Sequence, residues 1–370
     1  GLYEDLNTVE NEVLYEEAIE NALTVAKNNF SLLPIKKLEN KKIAYVHFGD
    51  DPGDTFFKTL NQYAEVTRVN AKDIATYRKQ LAKFNLVIIG FHKDNSSPWK
   101  PYKFSKNELF WLQEIASLRT SNTILALFAK PYALLDVTSF DSIDALVIGY
   151  QNSKIAQESA AEAIFGAIGA NGKLPVSAHP DFPVNTGIQL KPLLRLGYTI
   201  PERVGMSSGK LAMVDSLVRQ GLDSLMYPGA QVLIAKKGKV VYQKNFGKPT
   251  YTSEETIDQT HIYDLASLTK ILSTLPMIMK MEEEGKIALN NTFKELVPEY
   301  EESELKDVTV LKALSHYGRL PAWIAFYIKT LNENRKPSPD FYRSKPTDGF
   351  SYKVAENLYL TDAYKDSIYN

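Results

Sequence analysis

Apolar positions recur with two different spacings along this chain. Over residues 12–29, Val13, Leu14, Ala18, Leu23 and Ala26 fall at helical spacing and predict an amphipathic helix. Short apolar runs follow, at 43–46, 65–69, 86–90, 123–128 and 145–149, and each predicts a strand. Between them lie helical stretches at 56–63, 74–84, 107–118 and 153–168; Ser105 is placed to cap the third. Apolar runs alternating with helices predict a mainly parallel sheet covered on both faces, an α/β/α sandwich.

Pro180, Pro183, Pro192 and Pro201 punctuate residues 177–205, which lack either period and read as a linker. The domain boundary is therefore expected near 201–205, giving domains over 1–200 and 206–370. Past it, Leu211, Val214, Val218 and Leu222 form one helical face that Ser207 or Ser208 can cap. Pro228-Gly229 marks a turn, and strands at 231–236 and 239–244 join around Lys237-Gly238 as a hairpin. An irregular stretch leads to a helix that opens at Ser267 and runs through Leu272, Leu275 and Met279. It stops at Gly285, with a kink expected at Pro276. The run Glu282-Glu283-Glu284 reads as a solvated face.

Composition narrows the function classes. The chain has 370 residues, 44% hydrophobic and 24% charged, and a net charge of -1. Such a balance gives no electrostatic case for nucleic acid or an anionic membrane. Cysteine is absent, which excludes disulfides and thiolate chemistry. No run is long and apolar enough to span a bilayer, and no signal-peptide pattern is present. No G-x-G-x-x-G follows the first strand. His47-Phe48-Gly49-Asp50-Asp51 instead puts carboxylates where a nucleotide phosphate would sit, which speaks against a flavodoxin-like signalling or nucleotide-binding domain. His47, His92 and His179 stand outside any carboxylate or metal spacing and read as structural; no metal and no cofactor is expected.

The pattern S-x-x-K occurs at Ser97–Lys100, Ser207–Lys210, Ser267–Lys270 and Ser303–Lys306. Only the third opens an apolar helix after a hairpin. A serine there faces a helix N-terminus, where negative charge is favoured, and the lysine three residues on lies on the same face. Ser267 and Lys270 are thus a candidate nucleophile with its base.

Two resemblances give these patterns a context. Leu125-Ala126-Leu127-Phe128-Ala129-Lys130-Pro131-Tyr132-Ala133-Leu134, then 160–167 followed by Asn171-Gly172-Lys173-Leu174-Pro175-Val176, resemble the C-terminal α/β sandwich of family 3 glycoside hydrolases, above all the β-N-acetylglucosaminidase branch. Helix 12–29 running into Ser31-Leu32-Leu33-Pro34 supports them. Gly172 is expected to cap a helix end. Lys130, Pro131 and Tyr132 are expected to pack at a strand end. The resemblance implies a preceding barrel that carries the glycosidase carboxylates and packs on 1–200, so no glycosidase residue is carried over.

The second resemblance runs from about Met206 to Trp323. Its pieces are Leu265-Ala266-Ser267-Leu268-Thr269-Lys270, Glu284-Gly285-Lys286-Ile287-Ala288-Leu289, and Leu314-Ser315-His316 through Leu320-Pro321. They resemble the serine β-lactamase and penicillin-binding protein superfamily, class C-like members in particular. This implies that Ser267 forms an acyl-enzyme, that Lys270 takes its proton, and that the Ser267 N–H is one oxyanion donor. Lys270 would need its pKa depressed for that role.

The chain departs from that pattern in lacking a Y-x-N and a K-T-G element; Tyr352-Lys353-Val354, Tyr364-Lys365-Asp366 and Tyr369-Asn370 do not fit. His316 reads as structural. The hairpin is expected to keep an unpaired edge. The expected whole is a stretch of a longer cell-envelope or periplasmic hydrolase. It would combine glycoside hydrolysis with a serine acyl-enzyme activity on carbohydrate or cell-wall-derived substrates, and this stretch alone is expected not to turn over. The alternative is a non-catalytic scaffold or glycan-binding module.

Overall fold

The computed structural model describes residues 1–97, 99–118, 120–320 and 325–367. They fall into two compact units, Gly1–His261 and Ile262–Asn370.

The first unit is built on a six-stranded sheet. Its strands are β1 (Thr24–Asn28), β2 (Ile43–Gly49), β3 (Val66–Arg68), β4 (Leu86–His92), β5 (Asn122–Phe128) and β6 (Ala145–Ile148), in the order β1-β6-β5-β4-β2-β3. β2 to β6 pair parallel to their neighbours, and β1 runs antiparallel against β6. All seven residues of β4 are buried, because a central parallel strand is covered from both sides. Val87, Ile89 and Phe91 feed the core on one face; Leu86, Ile88, Ile124 and Val147 feed the other. Helices Lys106–Ala116 and Lys154–Phe165 begin on Ser105 and Ser153, whose side chains accept from backbone N–H groups of the first turn.

Two expectations are corrected here. The helix over 12–29 is two elements: a helix Val9–Ala22, capped by Thr8, and strand β1. Leu23 and Ala26 fit a helical period, yet Thr24 and Val25 are β-branched, and Val25 is fully buried in register with Val147. The left-handed cap belongs to Gly166 (φ +77°), which closes helix Lys154–Phe165. Gly172 serves a different need: a Cβ there would lie 2.2 Å from the Ala22 carbonyl oxygen.

The proline-rich stretch is strapped to this sandwich. Ile188 N–H donates to the Val25 carbonyl (2.8 Å) and Leu193 N–H to that of Gly166 (2.7 Å). β7 (Gly197–Tyr198) then pairs parallel with β9 (Lys239–Gly247), the second arm of a hairpin with β8 (Gly229–Lys236). Lys237 and Gly238 both have positive φ (52° and 77°), the geometry that a two-residue hairpin turn of matching twist requires. Helix Met213–Asp223 covers one hairpin face through Val218, Tyr242 and Phe246. Within this three-stranded sheet β8 is an edge, as expected.

In the second unit, a 3₁₀ turn Ala266–Leu268 runs into a wide π-turn Lys270–Thr274 and then into the α-helix Leu275–Glu283. Pro276 sits in the first turn of that α-helix, directly after the π-turn. Gly285 (φ +68°) ends that helix as expected. Helices Phe293–Leu296 and Val310–Leu314 begin on Thr292 and Thr309. Sequence reading missed a small sheet of β10 (Tyr342–Arg343), β11 (Tyr352–Ala355) and β12 (Leu358–Leu360), in the order β10-β12-β11. Among the described residues of this unit, the buried apolar side chains are Ile287, Val310 and Leu360.

Candidate active site

Ser267 lies in the 3₁₀ turn and Lys270 opens the π-turn, so local backbone geometry alone sets their separation. Lys270 Nζ donates to Ser267 Oγ at 3.1 Å. The α-helix proper starts eight positions beyond the serine, at Leu275, so the expected α-helix N-terminus at Ser267 is corrected to a 3₁₀ turn. Pro276 cannot donate to the carbonyl four residues back, and its ring crowds that carbonyl. The widened turn just before it relieves that conflict, and such turns recur at functional sites. Ala266 has φ +43°, a value rare for a residue with a Cβ, directly before the serine. Residues 262–270 are all exposed.

The other S-x-x-K pairs do different work. Ser207 Oγ accepts from the Lys210 backbone N–H (3.3 Å) and caps a short helix. Ser303 Oγ accepts from Leu305 N–H (3.1 Å). Ser97 Oγ accepts from Trp99 N–H (3.4 Å), while Lys100 pairs with Asp94 (3.0 Å). His316 (φ +60°) ends helix Val310–Leu314, with the Tyr317 N–H donating back to the Lys312 carbonyl (2.7 Å). Pro321 and Trp323, at the end of the second resemblance, lie outside the described residues, as do Tyr369 and Asn370. Lys130 follows β5 with its ammonium 5.2 Å from the Tyr102 ring centroid. Glu284 of the acidic run pairs with Lys286 (2.7 Å).

Two buried polar clusters in the first unit escaped sequence reading. In one, Arg203 donates to Glu16 (2.9 Å) and Glu20 (2.6 Å), while Lys239 reaches Glu20 (3.2 Å) and Glu162 (3.0 Å). Glu162 also accepts from the Tyr198 N–H (2.6 Å). Burial pushes its carboxyl up to about 7, with Lys239 pulling the other way. The glutamates at 12, 16 and 20, and at 158 and 162, recur every fourth residue, and that ladder was the available signal.

The second cluster surrounds His92, at the end of β4. His92 is fully buried and stacks on Phe128. Asn152 Nδ2 donates to Asp51 (3.0 Å), so Asn152 Oδ1 is left to accept from both Gln157 Nε2 (2.9 Å) and His92 Nδ1 (2.9 Å). His92 Nε2 then accepts from the Tyr45 hydroxyl (2.9 Å), the pattern of a neutral ring. Burial holds the imidazole down to about 4. His179 accepts from the Asp181 N–H (3.1 Å), and burial lowers the His47 imidazole below its usual range.

Residues 214–353 match the family model described as Beta-lactamase. Protein flp of Staphylococcus aureus (strain MW2) is 26% identical over 148 residues, 39% of this chain and 29% of that protein. A putative D-alanyl-D-alanine carboxypeptidase of Salmonella agona (strain SL483) is 29% identical over 135 residues, 33% of this chain and 31% of that protein. The chain thus spans 29% and 31% of the lengths of these two relatives. Among solved structures, a mutant Listeria innocua beta-glucosidase in complex with laminaribiose aligns with TM-score 0.40 and 19% identity, covering 47% of this chain and 27% of that one. A glycoside hydrolase family 3 beta-N-acetylglucosaminidase from Paenibacillus sp. str. FPU-7 aligns with TM-score 0.37 and 14% identity, covering 48% and 34%. No helix among the described residues is long and apolar enough to cross a membrane. Residues 214–353 form a beta-lactamase-fold domain, and the α/β domain ahead of them has family 3 glycoside hydrolases among its structural neighbours.

Proposed function

We propose that Ser267 is the acyl nucleophile, and Lys270 its base, of a serine hydrolase acting on cell-wall-derived acyl or peptide bonds. The observation that carries this reading is the 3.1 Å hydrogen bond between Lys270 Nζ and Ser267 Oγ. In the reaction, the amine in its neutral form takes the hydroxyl proton as Oγ adds to the carbonyl carbon. The carbonyl π pair moves onto oxygen; its return expels the leaving group, which takes a proton. Water then attacks the acyl-enzyme and releases the acid with Ser267 restored.

The larger protein is proposed to be a periplasmic or cell-envelope hydrolase that pairs this activity with glycoside hydrolysis by a barrel seated on residues 1–200. The patterns at 125–134 and 160–176 support the glycosidase part, and the similarity to a putative D-alanyl-D-alanine carboxypeptidase supports the envelope setting. The exposure of Ser267 and Lys270 favours a second reading, in which this segment is a binding scaffold without turnover.

Labelling separates the two. The full-length gene product carrying these residues, treated with a fluorophosphonate or penicillin probe, should gain one adduct on the peptide that holds Ser267. Ser267→Ala should abolish it, and Lys270→Met should slow it by about 10²-fold or more. No adduct on the wild-type protein would leave the scaffold reading standing.

A further inference from the structure

The geometry points to Asp264 as the residue that positions Ser267, an inference that rests on the acyl-enzyme reading above. Ala266 holds φ +43° immediately before the serine. An L-residue is rarely held there, because its Cβ crowds the neighbouring carbonyl oxygen, so the value persists only where surrounding bonds enforce it. Two bonds do so. Asp264 Oδ1 accepts from the Ala266 N–H at 2.8 Å. The Leu268 N–H donates to the Leu265 carbonyl at 2.9 Å. Residue 266 is thus clasped from both sides.

The dihedral at 266 sets the direction in which the Ser267 Cβ leaves the chain. It therefore decides whether Oγ meets Lys270 Nζ. Residues 262–270 are exposed, so no packed side chain substitutes for the clasp. Asp264 contacts the Ala266 backbone and not the hydroxyl. It acts through the turn, as a positioning residue. Glycine adopts positive φ freely, so Ala266→Gly should remove the need for the clasp.

The test is the second-order rate of fluorophosphonate labelling at Ser267 in the full-length gene product. Asp264→Ala should label about tenfold more slowly. Asp264→Asn, whose amide oxygen can accept the same N–H, should stay within about threefold of wild type. The double variant Asp264→Ala, Ala266→Gly should return to within about threefold of wild type. A residue that merely supports the fold would lower the melting temperature with the rate, and glycine would not restore either. Labelling of Asp264→Ala at the wild-type rate, or a slow Asp264→Ala that glycine fails to rescue, overturns the assignment while leaving the nucleophile intact. A wild-type protein that is not labelled overturns the acyl-enzyme reading and the role of Asp264 with it.

Discussion

Two lysines show how differently the compact units are built. Lys239 is 16% exposed and held between Glu20 and Glu162. Lys270 stands in open solvent with a serine hydroxyl as its partner. Their surroundings differ in the same way. The first unit covers both faces of its sheet with apolar side chains, whereas Leu268, Leu272, Met277 and Met279 of the second face outward. The first unit places its charges by global packing; the second places its candidate nucleophile by a few local bonds. Substitutions at buried positions of the first unit should therefore be felt as stability, and substitutions near Ser267 as rate.

The sharpest test is Lys239→Met. It leaves Glu162 buried and Glu20 short of one cation, and removing one member of a buried pair costs about 3–5 kcal/mol. The pH dependence has a definite sign. A carboxyl whose folded pKa is raised favours the fold below the ordinary glutamate range, and that contribution is lost as pH rises through about 7. Without Lys239 the pKa moves higher still. The defect should be larger at pH 8 than at pH 6, and adding Glu162→Gln should recover much of it. Lys270→Met should leave the unfolding midpoint in place. Denaturant titration of all three variants at both pH values reads this directly. Equal destabilisation by both lysine variants would break the comparison.

A pair of leucines probes the apolar side of the contrast. Leu127 on β5 is fully buried, so Leu127→Ala should cost about 2–5 kcal/mol through lost burial and the cavity left behind. Leu272 is 60% exposed, and Leu272→Ala should stay within about 0.5 kcal/mol. Tryptophan fluorescence follows the first through Trp111, which packs against Phe48 and Tyr77. A large cost at Leu272 would mean that the second unit buries this side chain in solution.

The sequence made much of the first unit legible, for a physical reason. A run such as Leu86-Val87-Ile88-Ile89 has no polar position to offer solvent, and a central parallel strand is the structure that hides all of it. The helix-to-strand switch at Leu23 was hidden because Leu23 and Ala26, three residues apart, continue the helical spacing. The ion cluster was half visible. Its glutamates recur every fourth residue, but Arg203 and Lys239 lie far along the chain and only folding brings them in. β10, β11 and β12 are two to four residues long and carry too little pattern to detect. The Ser267–Lys270 pair was legible because three-residue spacing is a local property. The clasp on Ala266 was not, since alanine gives no hint of positive φ.

A pH-dependent effect at His92 reports whether the closed interior of the first unit survives acid. The ring is fully buried and neutral, with Nδ1 donating to Asn152 and Nε2 accepting from Tyr45. A second ring proton would turn Nε2 into a donor, and the Tyr45 hydroxyl would then have to accept from it and give its own hydrogen to the Pro52 carbonyl, 3.1 Å away. Burial sets the folded pKa near 4, below the ordinary value of about 6.5 for an exposed histidine. A depressed folded pKa means that the unfolded chain takes up the proton first. The contribution of His92 is therefore complete above about pH 6.5 and is lost as pH falls toward 4. By pH 5 the loss should be about 2 kcal/mol relative to pH 8. His92→Gln should be less stable at pH 8 and should lack this part of the slope. Urea midpoints of wild type and variant between pH 8 and pH 5 measure it. Parallel pH profiles would show that the ring is protonated as readily inside the fold as outside it, and that the interior of the first unit admits water as the surface around Lys270 does.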